Sequence, residues 1–257
     1  MQATFFRDAK ARGMLPITVA NLGAARVLLD AVVERVADKY SDDLVPAVPR
    51  VWLEEMAVIA RDLRGWLSRV AEDGAEWTPR NFELAFGLRI DDQRDPDSHP
   101  LAVVVDGRFH LRGSVDLVEE HRATRVLRVT DHKTGKDRTR DGLIIGGGET
   151  LQPVLYSMVV EQMTGAPVHE ARLSYCTSAG GYKVRAVPLL SQTRRAGLEA
   201  LEVVDRAIEL GFLAAAPKDG ACVWCDFRAV CGPSEVQRVS RKPQDRLRDL
   251  HELRSRP

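Results

Sequence analysis

The hydrophobic pattern of the chain changes along its length from helical spacing to strand-like alternation. Apolar residues recur three and four positions apart over 21–40 and 50–70, which predicts two amphipathic helices. Helices are also predicted over 150–164, where Thr150 is placed to cap the helix, and over 191–210. Strands are predicted near 82–90, 101–106, 109–119, 125–132, 171–177 and 183–188. This order predicts an α/β domain with a central mixed sheet flanked by helices and a helical N-terminal lead.

Local signals refine this outline. The apolar residues of 82–88 alternate with other residues, which places Glu83 on the face opposite the apolar set. The dipeptide Asp106-Gly107 between two apolar segments predicts a tight hairpin. The glycines at 146–148 lack the Gly-Lys-Ser/Thr ending of a phosphate-binding loop, so we interpret them as a turn. No Walker-type motif occurs in the chain, which excludes an ATPase motor of that type within it.

The composition of the chain says more about its cellular location than about its function. The 257 residues suffice for one sizeable core, and Lys plus Arg equals Asp plus Glu at 37 each. Any basic surface must therefore be local, because the net charge does not indicate a nucleic-acid partner. No apolar run approaches the ~18 residues of a membrane span, and residues 1–13 lack the apolar core of a signal peptide. These features predict a cytoplasmic protein.

The strongest chemical signal lies at the ends of two predicted strands. Asp116 lies on one strand, and Asp131 and Lys133 end the next. The period of two places Asp131 and Lys133 on one face, with His132 opposite. Two carboxylates beside an ammonium suit a divalent cation and a phosphodiester. An ordinary cross-strand ion pair followed by a Thr-Gly turn is the simpler alternative.

Three of the four cysteines, Cys222, Cys225 and Cys231, lie within ten residues. In a cytoplasmic protein this bunching fits a metal site better than a disulfide framework. The thiolate spacing selects a soft metal, either a [4Fe–4S] cluster or zinc. Three unrelated buried cysteines are the alternative.

The motifs in this order resemble those of a known family. The segments 113–118 (Gly-Ser-Val-Asp-Leu-Val), 131–135 (Asp-His-Lys-Thr-Gly) and 152–156 (Gln-Pro-Val-Leu-Tyr) resemble the three successive motifs of RecB-like nucleases of the PD-(D/E)xK superfamily. The resemblance covers about 81–232 and implies a restriction-endonuclease-like core. The Cys-x2-Cys-x5-Cys run at 222–231 resembles that of the iron–sulfur branch, which includes AddB-type helicase–nucleases and some CRISPR-associated exonucleases.

The resemblance implies a Mg²⁺- or Mn²⁺-dependent DNA nuclease, in particular an exonuclease of recombination or DNA repair that uses metal-activated water. A helicase motor would be a separate domain or subunit. The residues it assigns are the metal ligands Asp116 and Asp131, the catalytic Lys133, the DNA-lining pair Gln152 and Tyr156, an upstream acid at Glu83, and the cluster ligands Cys222, Cys225 and Cys231. For Glu83 a structural surface role fits equally well.

Two features of the family pattern are missing. No histidine lies in the first helical region, where the family has one in the metal shell, and no cysteine precedes the core as fourth cluster ligand. Cys176 lies on a predicted core strand and is expected to be buried. The chain would then be the C-terminal part of a longer nuclease or helicase–nuclease, or a gene model started late, or a degenerate inactive domain.

These expectations divide the chain into three regions. A helical lead-in would span 1–78, the nuclease core with its cysteine cluster 79–232, and a basic helical tail 233–257. The tail holds seven Arg or Lys against four Asp or Glu, which fits a DNA-facing helix or a solvated surface helix. The alternatives to a nuclease are an inactive DNA-binding or scaffolding module with the same fold, and a zinc-stapled interaction domain.

Overall fold

The computed structural model describes residues 1–212, 215–218 and 220–257. The strands are β1 (Trp77–Phe86), β2 (Val103–Val105), β3 (Phe109–Leu111), β4 (Gly113–His121), β5 (Leu127–Lys133), β6 (Val168–Tyr175) and β7 (Val184–Pro188). The helices are α1 (Gln2–Ala11), α2 (Leu22–Leu44), α3 (Pro49–Asp73), α4 (Gln152–Thr164), α5 (Ser191–Glu209), α6 (Arg228–Cys231), α7 (Glu235–Ser240) and α8 (Arg248–Arg254). None of these described helices is both long and apolar enough to cross a membrane.

Five strands form a mixed central sheet in the order β1-β4-β5-β6-β7. Of these five described strands, only β5 and β6 run parallel, and α4 lies on the connection between them, as parallel neighbours require a crossover. One core packs the sheet against α1, α2 and α3, and a second core packs it against α4 and α5. The prediction of an α/β fold with a mixed sheet between helices is confirmed.

The predicted strands needed three corrections. The first strand is 77–86 rather than 82–90, because Gly87 turns the chain at φ 67° and donates its N–H to the carbonyl of His99. The segment predicted as 101–106 lies outside the central sheet and pairs only with β3. The strand predicted over 109–119 is divided at Arg112 between β3 and β4. The hairpin at Asp106-Gly107 is confirmed, since both residues have the positive φ of a type I′ turn.

The helix predictions failed in two places. The N-terminal helix α1 was missed, although Phe5, Phe6 and Ala9 form a buried stripe along it. The helix is short and charged residues interrupt its apolar pattern, so the sequence gives only a weak helical signal. Its stability comes from packing against the sheet and α2. Thr150 does not cap α4, because the helix begins one residue later, after Leu151, without a side-chain cap.

The glycine run and the tail fold together. Residues 146–148 form one turn of 3₁₀-helix, and the N–H groups of Ile145 and Gly146 donate to the main-chain oxygen of Pro257 at 2.7 and 3.1 Å. Leu247 and Leu253 of the tail are buried. The tail is therefore packed onto the domain through these two leucines, and Arg256 pairs with Glu199 of α5.

Candidate active site

The two acidic motif residues meet at the centre of the sheet. The antiparallel register of β4 and β5 pairs Leu117 with Thr130, so Asp116 and Asp131 are cross-strand neighbours. The main-chain N–H of His132 donates to Oδ2 of Asp116 at 2.7 Å. Burial raises the pKa of Asp116, and the charge of Asp131 raises it further, against the lowering effect of that hydrogen bond. Two carboxylates held this close repel each other unless a cation or proton lies between them.

Lys133 lies beside this pair and is tied to α4. Its Nζ lies 2.7 Å from Oδ2 of Asp131 and donates to Oε1 of Gln152 at 2.9 Å. Gln152 Nε2 in turn donates to the hydroxyl of Tyr156 at 3.5 Å. Strand periodicity on β5 and helical spacing on α4 thus bring three sequence motifs onto one face. The site is a row that runs from Asp116 through Lys133 to Tyr156.

One atom of this row lacks a hydrogen bond. Oδ2 of Asp131 is buried, and the nearby ammonium of Lys133 lies off the direction that a hydrogen bond requires, so the described residues offer this oxygen no hydrogen-bond partner. The ammonium of Lys133, 2.7 Å away, compensates the charge of this oxygen, but the oxygen accepts no hydrogen bond. A divalent cation would bring further positive charge to the two adjacent carboxylates.

His132 lies on the opposite face of β5, as the period of two predicts. Its ring packs edge-on against Trp66 of α3, with ring centroids 5.8 Å apart. Burial lowers the pKa of His132 to about 4, so the imidazole is neutral at physiological pH. Its contribution to the site is its main-chain N–H, which holds Asp116.

This burial predicts a specific acid sensitivity. Because the pKa of His132 is lower in the folded than in the unfolded protein, its contribution to stability is complete above pH 6.5 and is lost as the pH falls from 6.5 to about 4. We expect a loss of up to about 3 kcal/mol. Urea unfolding across this range should show a steeper pH dependence for the parent than for His132→Gln. The exposed His110→Gln is the control and should match the parent; equal slopes in all three would contradict the prediction.

Glu83 lies at a break in strand alternation. Its φ is 58°, unusual for a residue with a side chain. Phe82 consequently packs into the core with α1–α3, whereas Leu84 packs into the core with α4. The prediction of one continuous apolar face opposite Glu83 was therefore wrong. Such strain in a non-glycine residue is typical of functional sites.

The carboxylate of Glu83 already has partners. It accepts hydrogen bonds from Arg94 at 3.3 Å and from the hydroxyl of Ser114 at 3.2 Å. Arg94 also donates to Ser114 at 3.1 Å. Sequence reasoning missed Arg94, because it comes from a charged loop whose pattern does not reveal where it folds. In the register of β1 against β4, Glu83 lies across from Asp116, and its carboxylate is bound to an arginine.

The first motif needs its glycine for close packing. A Cβ on Gly113 would lie 2.9 Å from Cζ of Phe86 and 3.1 Å from the hydroxyl oxygen of Tyr156. The Phe86 and Tyr156 rings pack edge to face at 5.7 Å. Gly113 thus lets Tyr156 approach the strand that carries Asp116.

Comparison with known proteins agrees with this geometry. The sequence profile of the PD-(D/E)XK nuclease superfamily matches residues 16–232. The chain belongs to this superfamily. A search of curated proteins finds no match. Proteins of the PD-(D/E)XK superfamily are generally metal-dependent nucleases that use Mg²⁺ or Mn²⁺, and the matched range includes all three motifs of this site.

The acidic pair fits a hard divalent cation. Among the described residues no group of three or more His, Cys, Asp or Glu side chains is placed to hold a metal. Mg²⁺, however, is commonly held by one or two carboxylates together with waters and substrate phosphates. Asp116 and Asp131 supply the two carboxylates, and Oδ2 of Asp131 accepts no hydrogen bond, although the ammonium of Lys133 lies 2.7 Å from it.

The three clustered cysteines are not placed together as metal ligands among the described residues. Cys222 is half-buried, and Cys225 and Cys231 are exposed. Cys176 is buried as predicted, with its Sγ 3.4 Å from the carbonyl oxygen of Lys133. It belongs to the core beside the active-site strand. The structure thus lends no support to the [4Fe–4S] or zinc assignment.

Proposed function

We propose that the protein hydrolyses DNA phosphodiester bonds with Mg²⁺ or Mn²⁺ held by Asp116 and Asp131. The observation that carries this proposal is the buried carboxylate oxygen of Asp131, which lacks a hydrogen bond and lies beside a second carboxylate and the ammonium of Lys133. A cation bound there would act as a Lewis acid on the phosphate and lower the pKa of a bound water.

In this proposal each side chain of the site has its own role. Asp131 directs the ammonium of Lys133, and Gln152 holds it from the other side. Lys133 thereby presents a fixed positive charge where negative charge develops on phosphate oxygens and where the attacking water must be oriented. Tyr156, supported by Phe86, offers an aromatic ring and a hydroxyl to a nucleotide at the edge of the site.

A non-catalytic DNA-binding or scaffolding module is the second candidate. It is favoured by the engagement of Glu83 with Arg94, which leaves two carboxylates for the metal, and by the absence of a histidine from α1–α3. Such a module would bind DNA through the same surface without turnover.

The test is cleavage of linear single- and double-stranded DNA by the 257-residue chain, with Mg²⁺, with Mn²⁺ and with a chelator. Metal-dependent cleavage is expected, and Lys133→Ala should abolish it while leaving the melting temperature near that of the parent. Lys136→Ala, three residues on in an exposed position, is the matched control and should cut normally. Lack of cleavage by the parent would refute the proposal and favour the non-catalytic module.

The narrower assignments rest on the sequence resemblance. Exonuclease activity, a role in a helicase–nuclease system of recombination and repair, and a soft metal at Cys222, Cys225 and Cys231 are part of the proposal. Comparing the digestion of DNA with blocked ends and DNA with free ends tests the exonuclease assignment. Metal analysis of the purified protein tests the last, since a cluster would bring iron and sulfide with the protein.

A further inference from the structure

A groove lies between the end of α1, the start of β1 and the turn that joins β4 to β5. Its volume is about 640 Å³. Four cationic side chains and one carboxylate line it, namely Lys10, Arg80, Arg122, Arg125 and Glu120. We call this feature the basic groove. The motif residues described above do not belong to it.

The sequence places Arg80 in the groove through a β-bulge. The register of β1 against β4 shifts between Pro79 and Asn81, so Arg80 is the extra residue. A bulge redirects a side chain out of the regular alternation. Lys10 Nζ fixes this irregular backbone by donating to the carbonyl of Arg80 at 3.0 Å.

The other side chains are also held in position. Arg122 donates to the carbonyl of Ala75 at 3.1 Å. Glu120 forms ion pairs with Arg80, at 3.3 Å, and with Arg125. One carboxylate cannot neutralise four cations, so the groove keeps a positive surplus although the whole chain is balanced at 37 charges of each sign. A local surplus of this kind favours a polyanion.

We propose that the basic groove binds the phosphate backbone of DNA whose scissile part lies at Asp116 and Asp131. This inference rests on the proposed function for the identity of the polyanion. Glu120 lies four residues from Asp116 on β4, which is about 14 Å at the rise of a strand. That distance corresponds to about four base pairs of duplex. Lysine and arginine contacts to phosphates position DNA without reading its sequence.

The experiment measures binding of a duplex of about 20 base pairs, which spans both places, by fluorescence anisotropy in the presence of a chelator. Because nothing is cut, the result is independent of whether the chain is an active nuclease. Arg80→Gln/Arg125→Gln should weaken binding and lower the slope of log affinity against log salt by about two. Glu120→Gln should instead tighten binding, because it removes the one carboxylate of the groove. Arg50→Gln removes a more exposed arginine outside the groove that is also paired with a glutamate, and this variant should bind like the parent.

Cleavage separates the groove from the catalytic site. The double variant should lose cleavage efficiency on long duplex and recover it at low salt, whereas Lys133→Ala should lose cleavage at low salt as well. Parental affinity and slope in the double variant, with parental folding by circular dichroism, would overturn the groove assignment even if the parent is an active nuclease. A parent that does not bind DNA would overturn it as well.

Discussion

Replacing Asp131 by asparagine should lower kcat/KM for DNA cleavage by more than about a hundredfold, because outer partners of metal ligands alone are worth about 10- to 100-fold. The side chain keeps its shape but loses the charge that faces Asp116 and Lys133. One cause of the raised pKa of Asp116 disappears with it, so that pKa should fall. The free energy of unfolding should stay within about 1 kcal/mol of the parent, since removing one of two adjacent carboxylates relieves repulsion.

A matched variant on the same segment should behave in the opposite way. Asp137 accepts hydrogen bonds from Thr139 and Arg185, at 2.9 and 2.8 Å. Burial raises the pKa of Asp137, but these partners together outweigh burial and lower that pKa to about 2. Asp137→Asn should therefore reduce stability at neutral pH and leave metal-dependent cleavage per folded molecule unchanged. Cleavage assays with urea unfolding on both variants provide the check. If Asp131→Asn cuts DNA as well as the parent does, the assignment of Asp131 as a metal ligand fails.

The face that each site residue occupies could be predicted from sequence because strand periodicity is local. Three consecutive residues of β5 suffice: Asp131 and Lys133 meet at 2.7 Å, and His132 packs on Trp66. The contact of Lys133 with Gln152 was not predicted, because it depends on how α4 packs against the sheet.

Other parts of the site depend on geometry that a pattern of apolar positions does not record. The positive φ of Glu83 reverses the faces of its neighbours, and the alternation of Phe82 and Leu84 looks regular in the sequence. Arg94 reaches Glu83 from a loop. The metal site at the cysteine run stays a prediction, since the described thiols are half-buried or exposed and are not placed together as ligands.

The largest loss of stability is expected from Arg128→Met, a charged residue that composition alone would place on the surface. Its side chain is 1% exposed and lies over the Trp77 ring at 4.3 Å. Two of its nitrogens donate to Glu119, each at 2.8 Å, and one of them also donates to Asp73 at 3.1 Å. Removing one partner of such a buried pair costs about 3–5 kcal/mol, because the other charge stays buried and unpaired. The melting temperature should fall by roughly 10 °C.

A double-mutant cycle identifies the cause of that loss. Glu119→Gln in the Arg128→Met background removes the stranded charge, so the double variant should be less destabilised than the sum of the single variants. Arg50→Ala, which breaks an exposed pair with Glu54, should cost less than about 1 kcal/mol. Simple additivity in the cycle would show that Arg128 stabilises the sheet by packing alone. Arg128 lies three residues before Asp131 on β5 and does not belong to the acidic pair. Cleavage by Arg128→Met should therefore decline only in proportion to the fraction of molecules that remain folded. That result would show that Arg128 stabilises the sheet and takes no part in the chemistry at the acidic pair.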